Sequence, residues 1–325
     1  MKRCLFMLGA ALAFFSSTQA HAQAQDWPNR PVRVIVPFGA GGSGDAIARL
    51  LSDQLSTKFG QQFVVENRTG AGGAIGAQAI ATSQPDGYTI GITNLSILSI
   101  VPVVNKATAY DSMKSFSHIA YAAGAPVVLA ANQKTEVRTL DQFRKYAGDK
   151  KAFTFASSGV GSDGHLMGEA IAASLKLTVE HVPYKNTSQA LVDVVGGHVP
   201  FCTFTLSSTA QFLRDGTLRG VAVTTAERLP DFPDLPTFRE LGYPELEGTT
   251  WFSLSGPANL PSEIVQKLNT EINRILALPE VQAKLRRDGF QARPMSPADF
   301  TSFVTSENKR WRELIERAGL AGKGG

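Results

Sequence analysis

The first stretch of this chain with the makings of a chemical site is Val32 to Asp45, VRVIVPFGAGGSGD. A β-branched run ends in Pro37-Phe38, then in glycines at 39, 41, 42 and 44, then in Asp45. Ala46 to Phe59 follows with helical periodicity, so the segment reads as strand, glycine loop and helix N-terminus. Such a loop offers unpaired backbone N–H groups at the positive end of a helix, which suits an anion. A second glycine loop, Asn67 to Gly73, follows the next strand and repeats the arrangement. Two donor-rich loops at one sheet edge point to one small anionic ligand. Phe38, Ala40, Gly41, Gly42, Gly70 and Ala71 are therefore candidate contacts. Arg68 is placed either to bond a carboxylate or to form a salt bridge with Glu66. Asp45 lies where the helix begins and suits the capping of loop N–H groups.

A competing reading starts from the same glycines. Gly39 to Gly44 satisfies G-x-G-x-x-G, and Glu66 ends the second strand where a ribose-binding acid would sit. That pattern would imply a nucleotide-cofactor oxidoreductase. The capping position of Asp45 and the second glycine loop, which has no role in that fingerprint, count against it. No cofactor is expected.

Farther along, Ser157-Ser158-Gly159-Val160-Gly161-Ser162 forms a third polar loop, with His165 close behind it. Its hydroxyls and amides are suited to a second polar end of the ligand. Ser162 also reads as a helix cap, and His165 as a residue packed under the loop. A periplasmic enzyme using the same cleft remains the alternative from another class. It would need a base within reach of a nucleophile, and no G-x-S-x-G pentad exists. Neither H-E-x-x-H, C-x-x-C nor an Asp-rich calcium loop occurs, so no metal site is expected.

Alternating strand and helix patterns must position these loops. Strands are expected at Val32–Val36, Phe63–Val65 and Tyr88–Ile92, with helices between them, which implies parallel pairing. Ala120 to Ala131 is long for one strand and is expected to cross between lobes. A second strand–helix series follows, through strands near 153–155, 179–182, 201–204 and 220–223. Thr250 to Ser255 is a candidate return crossing. Amphipathic helices at Glu263–Leu276 and Pro297–Ala318 are expected to pack back on the first lobe. The fold expected is α/β with two lobes: residues 27–125, then 126–249, then a return of 250–325 to the first lobe. Ligands of open α/β sheets sit at the carboxyl ends of strands, where these loops lie.

The chain of 325 residues fits two lobes better than one domain. Residues 1–22 read as a secretory signal: Lys2-Arg3, an apolar run from Leu5 to Phe15, and a small-x-small site at Ala20-His21-Ala22. The apolar run is too short to span a bilayer. Loss of Lys2 and Arg3 would lower the formal charge from +4 to +2, and no basic run points to nucleic acid. Cys4 would leave with the leader, so Cys202 alone has no internal disulfide partner and reads as a small buried hydrophobe.

Several motifs in order resemble the Bug family, the TctC-like substrate-binding proteins of tripartite tricarboxylate transporters. They are Trp27-Pro28, Pro37-Phe38-x-Ala40-Gly41-Gly42-x-x-Asp45 and Asn67-Arg68-x-Gly70-Ala71-Gly72-Gly73. Pro85-Asp86-Gly87-Tyr88-Thr89, Gly161-Ser162-x-x-His165-Leu166 and Pro183-Tyr184-Lys185 continue the series. Gly196-Gly197-His198-Val199 and Pro233-x-x-Pro236-Thr237 complete it. The resemblance spans essentially the whole chain after the leader. It implies a periplasmic binding protein of type II-like fold with two crossover strands, closing over a small carboxylate and performing no chemistry. It further implies that loops Phe38–Asp45 and Asn67–Gly73 hold one carboxylate, while lobe-two loops including Ser157–Ser162 hold the other end. The implied partners are the cognate membrane permease subunits and a possible sensor protein, with the receptor itself a monomer.

One departure bears on specificity. After Gly-Gly-His-Val the family commonly reads Asp-Phe-x-Phe-Asp, whereas here Pro200 to Phe204 stand in that register and both acids are missing. Phe204 then reads as an apolar or aromatic wall and Thr205 as a replacement donor. A dicarboxylate or aromatic carboxylate is expected rather than an amino acid.

Overall fold

The computed structural model describes residues 27–150, 152–185, 187–317 and 321–322. The expected leader, Cys4 and the expected last residue of the C-terminal helix, Ala318, lie outside the described residues. The first three strands are β1 (Val32–Val36), β2 (Phe63–Asn67) and β3 (Thr89–Asn94). All are parallel, with Val34 opposite both Val65 and Ile90. Helix α1 (Ser43–Phe59) follows β1 and buries Ile47, Ala48, Leu51 and Leu55 on one face. It stops at Gly60, whose left-handed backbone (φ 67°) lets its N–H reach the Ser56 carbonyl. Helix α2 (Ala74–Ala81) follows the second glycine loop. After β3 the chain enters a wholly buried π-helical turn, Ser96–Ile100, continuing into the short α3 (Val101–Val104). The sequence pattern did not indicate that turn, because an all-buried helix carries no polar face to mark its period.

The element that joins the molecule is β4 (Phe116–Asn132), 17 residues long and buried at every position but one. Its first part pairs antiparallel with β9 (Thr249–Pro257), ending with Pro126 opposite Thr249. From Val127 on it pairs instead with β7 (Phe201–Thr205) on one side and, from Val128, with β8 (Leu218–Val223) on the other. The exchange of partners falls at Pro126, which has no N–H to give to a ladder. The many alanines of this strand leave room for elements pressed against both faces.

The second lobe adds β5 (Phe153–Ser157) and β6 (Val179–Pro183), with β5 parallel to both β6 and β7. Its helices are α4 (Leu140–Asp149), α5 (Asp163–Leu175), α6 (Thr187–Gly196) and α7 (Leu206–Arg214). The chain returns through β9 and builds α8 (Ser262–Ala277), α9 (Pro279–Arg287), the two-residue β10 (Gln291–Ala292) and α10 (Pro297–Arg317). Leu268, Ile272 and Ile275 of α8 enter the first-lobe core, whereas Phe300, Val304 and Ile315 of α10 pack with the buried π turn. The full order is β2-β1-β3-β9-β4-β7-β5-β6, with β8 and β10 also on β4. Parallel pairing holds within each lobe, as the strand–helix alternation implies. The two strands that carry the chain between lobes are antiparallel to their neighbours, because each enters the sheets from the opposite end.

Candidate ligand-binding site

Four helices begin at one point between the lobes. A cavity of about 40 Å³ is lined by Ser43 and Gly44 from the first turn of α1, and by Asp163 and Gly164 from that of α5. Thr187 opens α6 on the same lining, and Thr205 and Ser208 flank the start of α7. Phe38, Gly42, Asn94, Ser158, Thr203, Phe204 and Phe252 complete the wall. First-turn amides have no intrahelical acceptor, so each helix brings spare donors and the positive end of its dipole. Neither α1 nor α7 uses a side-chain cap. The arrangement stabilises a small anion without needing a cation.

The first glycine loop is held by Asp45. Gly41 has φ 79°, and its N–H donates to Asp45 Oδ2 at 3.0 Å. Asn67 bonds the other carboxylate oxygen at 3.0 Å and the Phe38 carbonyl at 2.9 Å, tying the second loop to the first. Arg49, one turn along α1, grips both carboxylate oxygens. Burial pushes the Asp45 carboxyl up, but Arg49, the Gly41 amide and Asn67 together hold it below the usual range. Asp45 lies behind the loop and not on the cavity wall.

Direct contacts close the lobes over this point. Ser43 Oγ lies 2.5 Å from Thr205 Oγ1, 2.6 Å from Ser207 Oγ and 2.9 Å from Ser208 Oγ. Ser188 donates to the Ala40 carbonyl at 3.1 Å, and Ser96 to the Gly161 carbonyl at 2.7 Å. At the hinge, Thr250 Oγ1 donates to Asp163 Oδ2 at 2.6 Å.

A larger cavity of about 400 Å³ adjoins the small one, and Phe38 and Ser158 line both. Its walls are the second glycine loop, Gly70 to Gly73, with Val101 and Val104 facing Ser158 to Val160 and Pro183 to Lys185. Among the described residues, Lys185 is the one charged residue on that lining.

The sequence candidates divide by position. Phe38, Gly42, Ser158, Phe204 and Thr205 reach the small cavity, and Gly70 and Ala71 the larger one. Ala40 and Gly41 line neither; they meet α6 at Ser188 instead. Arg68 turns to Glu66, with Nε 2.7 Å from Oε1, and Glu66 also meets Arg33 at 3.4 Å. Ser157 is buried beneath the loop, its Oγ 2.6 Å from His181 Nε2. Ser162 caps α5 by accepting from the His165 N–H. His165 accepts from the Gly161 N–H at 3.1 Å and stacks on His181 with ring centroids 4.1 Å apart. Burial and the neighbouring His165 push the His181 pKa down to about 3. Cys202 is fully buried, and burial pushes its thiol up to about 12.

The sequence reading missed Ser43, Asn94, Asp163, Thr187, Thr203 and Ser208. The available signal was their place near strand ends and helix starts: Asn94 ends β3, Thr203 lies two residues before the end of β7, and Asp163 follows the cap Ser162. Among the described residues no cluster of His, Cys, Asp and Glu forms a metal site.

Comparison with known proteins follows the same line. The family model of the tripartite tricarboxylate transporter family receptor matches residues 47–320. Protein BugT of Bordetella pertussis (strain Tohama I) is 32% identical, with 98% of each chain covered. The structure of R. palustris Rpa4515 with adipate superposes with a TM-score of 0.88 at 34% identity, covering 91% of this chain and 99% of that one. MatC (Rpa3494) from Rhodopseudomonas palustris with bound malate gives 0.85 at 30% identity, covering 89% and 100%.

Proposed function

The chain belongs to the tripartite tricarboxylate transporter receptor family, and from that premise we propose that it captures a small dicarboxylate between its lobes for a membrane permease. The observation that carries this reading is the convergence of four helix N-termini on one cavity closed by lobe-to-lobe hydrogen bonds. One carboxylate fits the roughly 40 Å³ space at the helix ends. The carbon chain then extends past Phe38 and Ser158 into the larger cavity, where Lys185 meets the second carboxylate. The relatives solved with adipate and with malate hold ligands of this class. Phe204 and Phe252 give the small cavity an apolar wall, where the family motif commonly carries acids that this chain lacks.

The described residues within 27–125 and 250–325 make one lobe and those within 126–249 the other, with Pro126 and Thr249 at the boundary. Lobe closure removes the ligand from water and presents the loaded face to the permease. The reading assigns the site binding alone; the closely paired Ser157 and His181, 2.6 Å apart, lie off both cavity walls. The place of action is the periplasm, reached through the leader at residues 1–22, with the receptor acting as a monomer.

A thermal-shift screen of mono-, di- and tricarboxylates, with aromatic acids, amino acids and NAD included, tests the reading. At a concentration 100 times Kd a ligand adds about 2.7 kcal/mol of stability. Dicarboxylates are expected to raise Tm, and NAD and aspartate to leave it unchanged. A shift with amino acids alone would overturn the proposal.

A further inference from the structure

A second cleft lies behind the strands that join the lobes. Along β9, Thr250 and Phe252 face the ligand side: Thr250 reaches Asp163, and Phe252 lines the small cavity. Side chains alternate along a strand, so Thr249 and Trp251 face the other way. With Tyr121 and Gly124 of β4 they line an open cleft of about 750 Å³. Its remaining walls come from both lobes, Thr224 to Pro230 and Glu247 from the second, Gln291 to Arg293 and Arg310 from the first. β4 and β9 thus separate two clefts. Lobes that turn about these strands narrow one cleft as they widen the other.

Charge is distributed unevenly across the rear cleft. An apolar groove of about 410 Å³ between α5 and α10 adjoins it. Glu247, Gly248 and Arg310 line both spaces, so they form the sill where the two meet. Glu247 is on the second lobe and Arg310 on the first. In the closed form each is paired within its own lobe, Glu247 with Arg239 at 3.0 Å and Arg310 with Glu307 at 3.5 Å. The other Glu307 oxygen accepts from the Trp251 and Trp311 indoles. Arg228 is tied to Glu240 and to the Pro233 carbonyl. Glu227 on lobe two and Arg293 on lobe one repeat the arrangement of sign.

We propose that Glu247 and Arg310 form a latch that holds the empty receptor open. Opening the ligand cleft narrows the rear one and brings the Glu247 carboxylate onto the Arg310 guanidinium. A guanidinium is a fork of five donors, so it keeps one edge for Glu307 and gives another to Glu247. The pair exists in the open form alone, and closure must break it. Apparent affinity is the intrinsic affinity multiplied by the fraction of chains in the closed form, so the latch lowers it. It also keeps the empty receptor distinct in shape from the loaded one. The inference rests on the receptor reading for lobe closure alone and not on the class of ligand.

Four chains decide it: the unaltered one, Glu247→Gln, Arg310→Gln and the double variant. Both side chains are about half exposed, so neither exchange disturbs a core. Small-angle scattering reads the ligand-free form. The unaltered chain is expected to show a radius of gyration above that calculated for the closed structure, and each single variant a smaller one. In titration calorimetry with adipate, each single variant is expected to bind up to about fivefold tighter, the range open to an exposed ion pair. The double variant should bind no tighter than either single one, because loss of one partner already breaks the pair. Arg239→Gln removes only the closed-form partner of Glu247 and is expected to bring no tightening. A ligand-free unaltered chain already as compact as the closed structure overturns the inference. So do single variants with unchanged radius and affinity, additive gains in the double variant, or equal tightening by Arg239→Gln. If adipate and every other carboxylate fail to bind, the receptor reading falls, and the scattering comparison decides the latch by itself.

Discussion

Ser43 Oγ and Thr205 Oγ1 lie 2.5 Å apart, although 162 residues separate them. Ser43 opens helix α1 of the first lobe, and Thr205 ends β7 of the second. With Ser207 and Ser208 they form a knot of hydroxyls across the cleft. A hydroxyl has one donor and two acceptor sites, so three neighbours saturate Ser43 in the closed form. Ser43→Ala is therefore expected to weaken ligand binding about tenfold, equal to about 1.4 kcal/mol. Titration calorimetry reads the loss, and the free protein's Tm should change little.

Closure also depends on a glycine. Gly72 has φ 63°, and a Cβ added there would stand 2.7 Å from the Val160 carbonyl oxygen of the opposite lobe. The clash is relieved by opening the cleft and not by unfolding. Gly72→Ala is expected to cost affinity by tenfold or more, with only about 1–2 kcal/mol of stability lost to the left-handed backbone. Small-angle scattering should report a larger radius of gyration for the variant. An unchanged radius and affinity would remove Gly72 from the closing surface.

Asp45 acts through the loop it holds. Asp45→Ala releases the Gly41 amide, Asn67 and Arg49 together. Loss of these hydrogen bonds to a charged group is expected to lower stability by about 2 kcal/mol and to weaken binding in parallel. Chemical denaturation measures the first effect and calorimetry the second. Unchanged affinity would mean that the loop keeps its form without this anchor.

His181 predicts how stability varies with acid. Its folded pKa, about 3, lies below that of an ordinary His, near 6.5. The unfolded chain then binds the proton that the folded chain refuses, so stability is full above about pH 6.5 and falls as pH drops toward 3. The slope from this group reaches about 1.4 kcal/mol per pH unit. His181→Gln keeps a polar atom near Ser157 and should flatten the decline of Tm on acidification. An identical decline in both proteins would place the acid sensitivity elsewhere, for instance at buried His118, whose pKa burial pushes down to about 4.

The sequence by itself determined the parts made by neighbours along the chain. β1, its glycine loop and α1 are legible because a β-branched run, glycines and a 3.6-residue period are local signals. The length and alanine content of the segment around Ala120 to Ala131 marked a strand that leaves one lobe for another. The ordered motifs marked the family, and with it the anion-binding loops. Tertiary structure decided which of those residues meet. Arg68 was open between ligand and Glu66, and the fold turns it to Glu66, two residues back near the end of β2. Ser157 and His165 lie beneath their loop, since α5 starts under it and stacks His165 on His181. Asp163 had no distinguishing neighbour in sequence. It reaches the small cavity only because the fold brings the starts of α5, α1, α6 and α7 together, a meeting of elements far apart in the chain that no local pattern encodes.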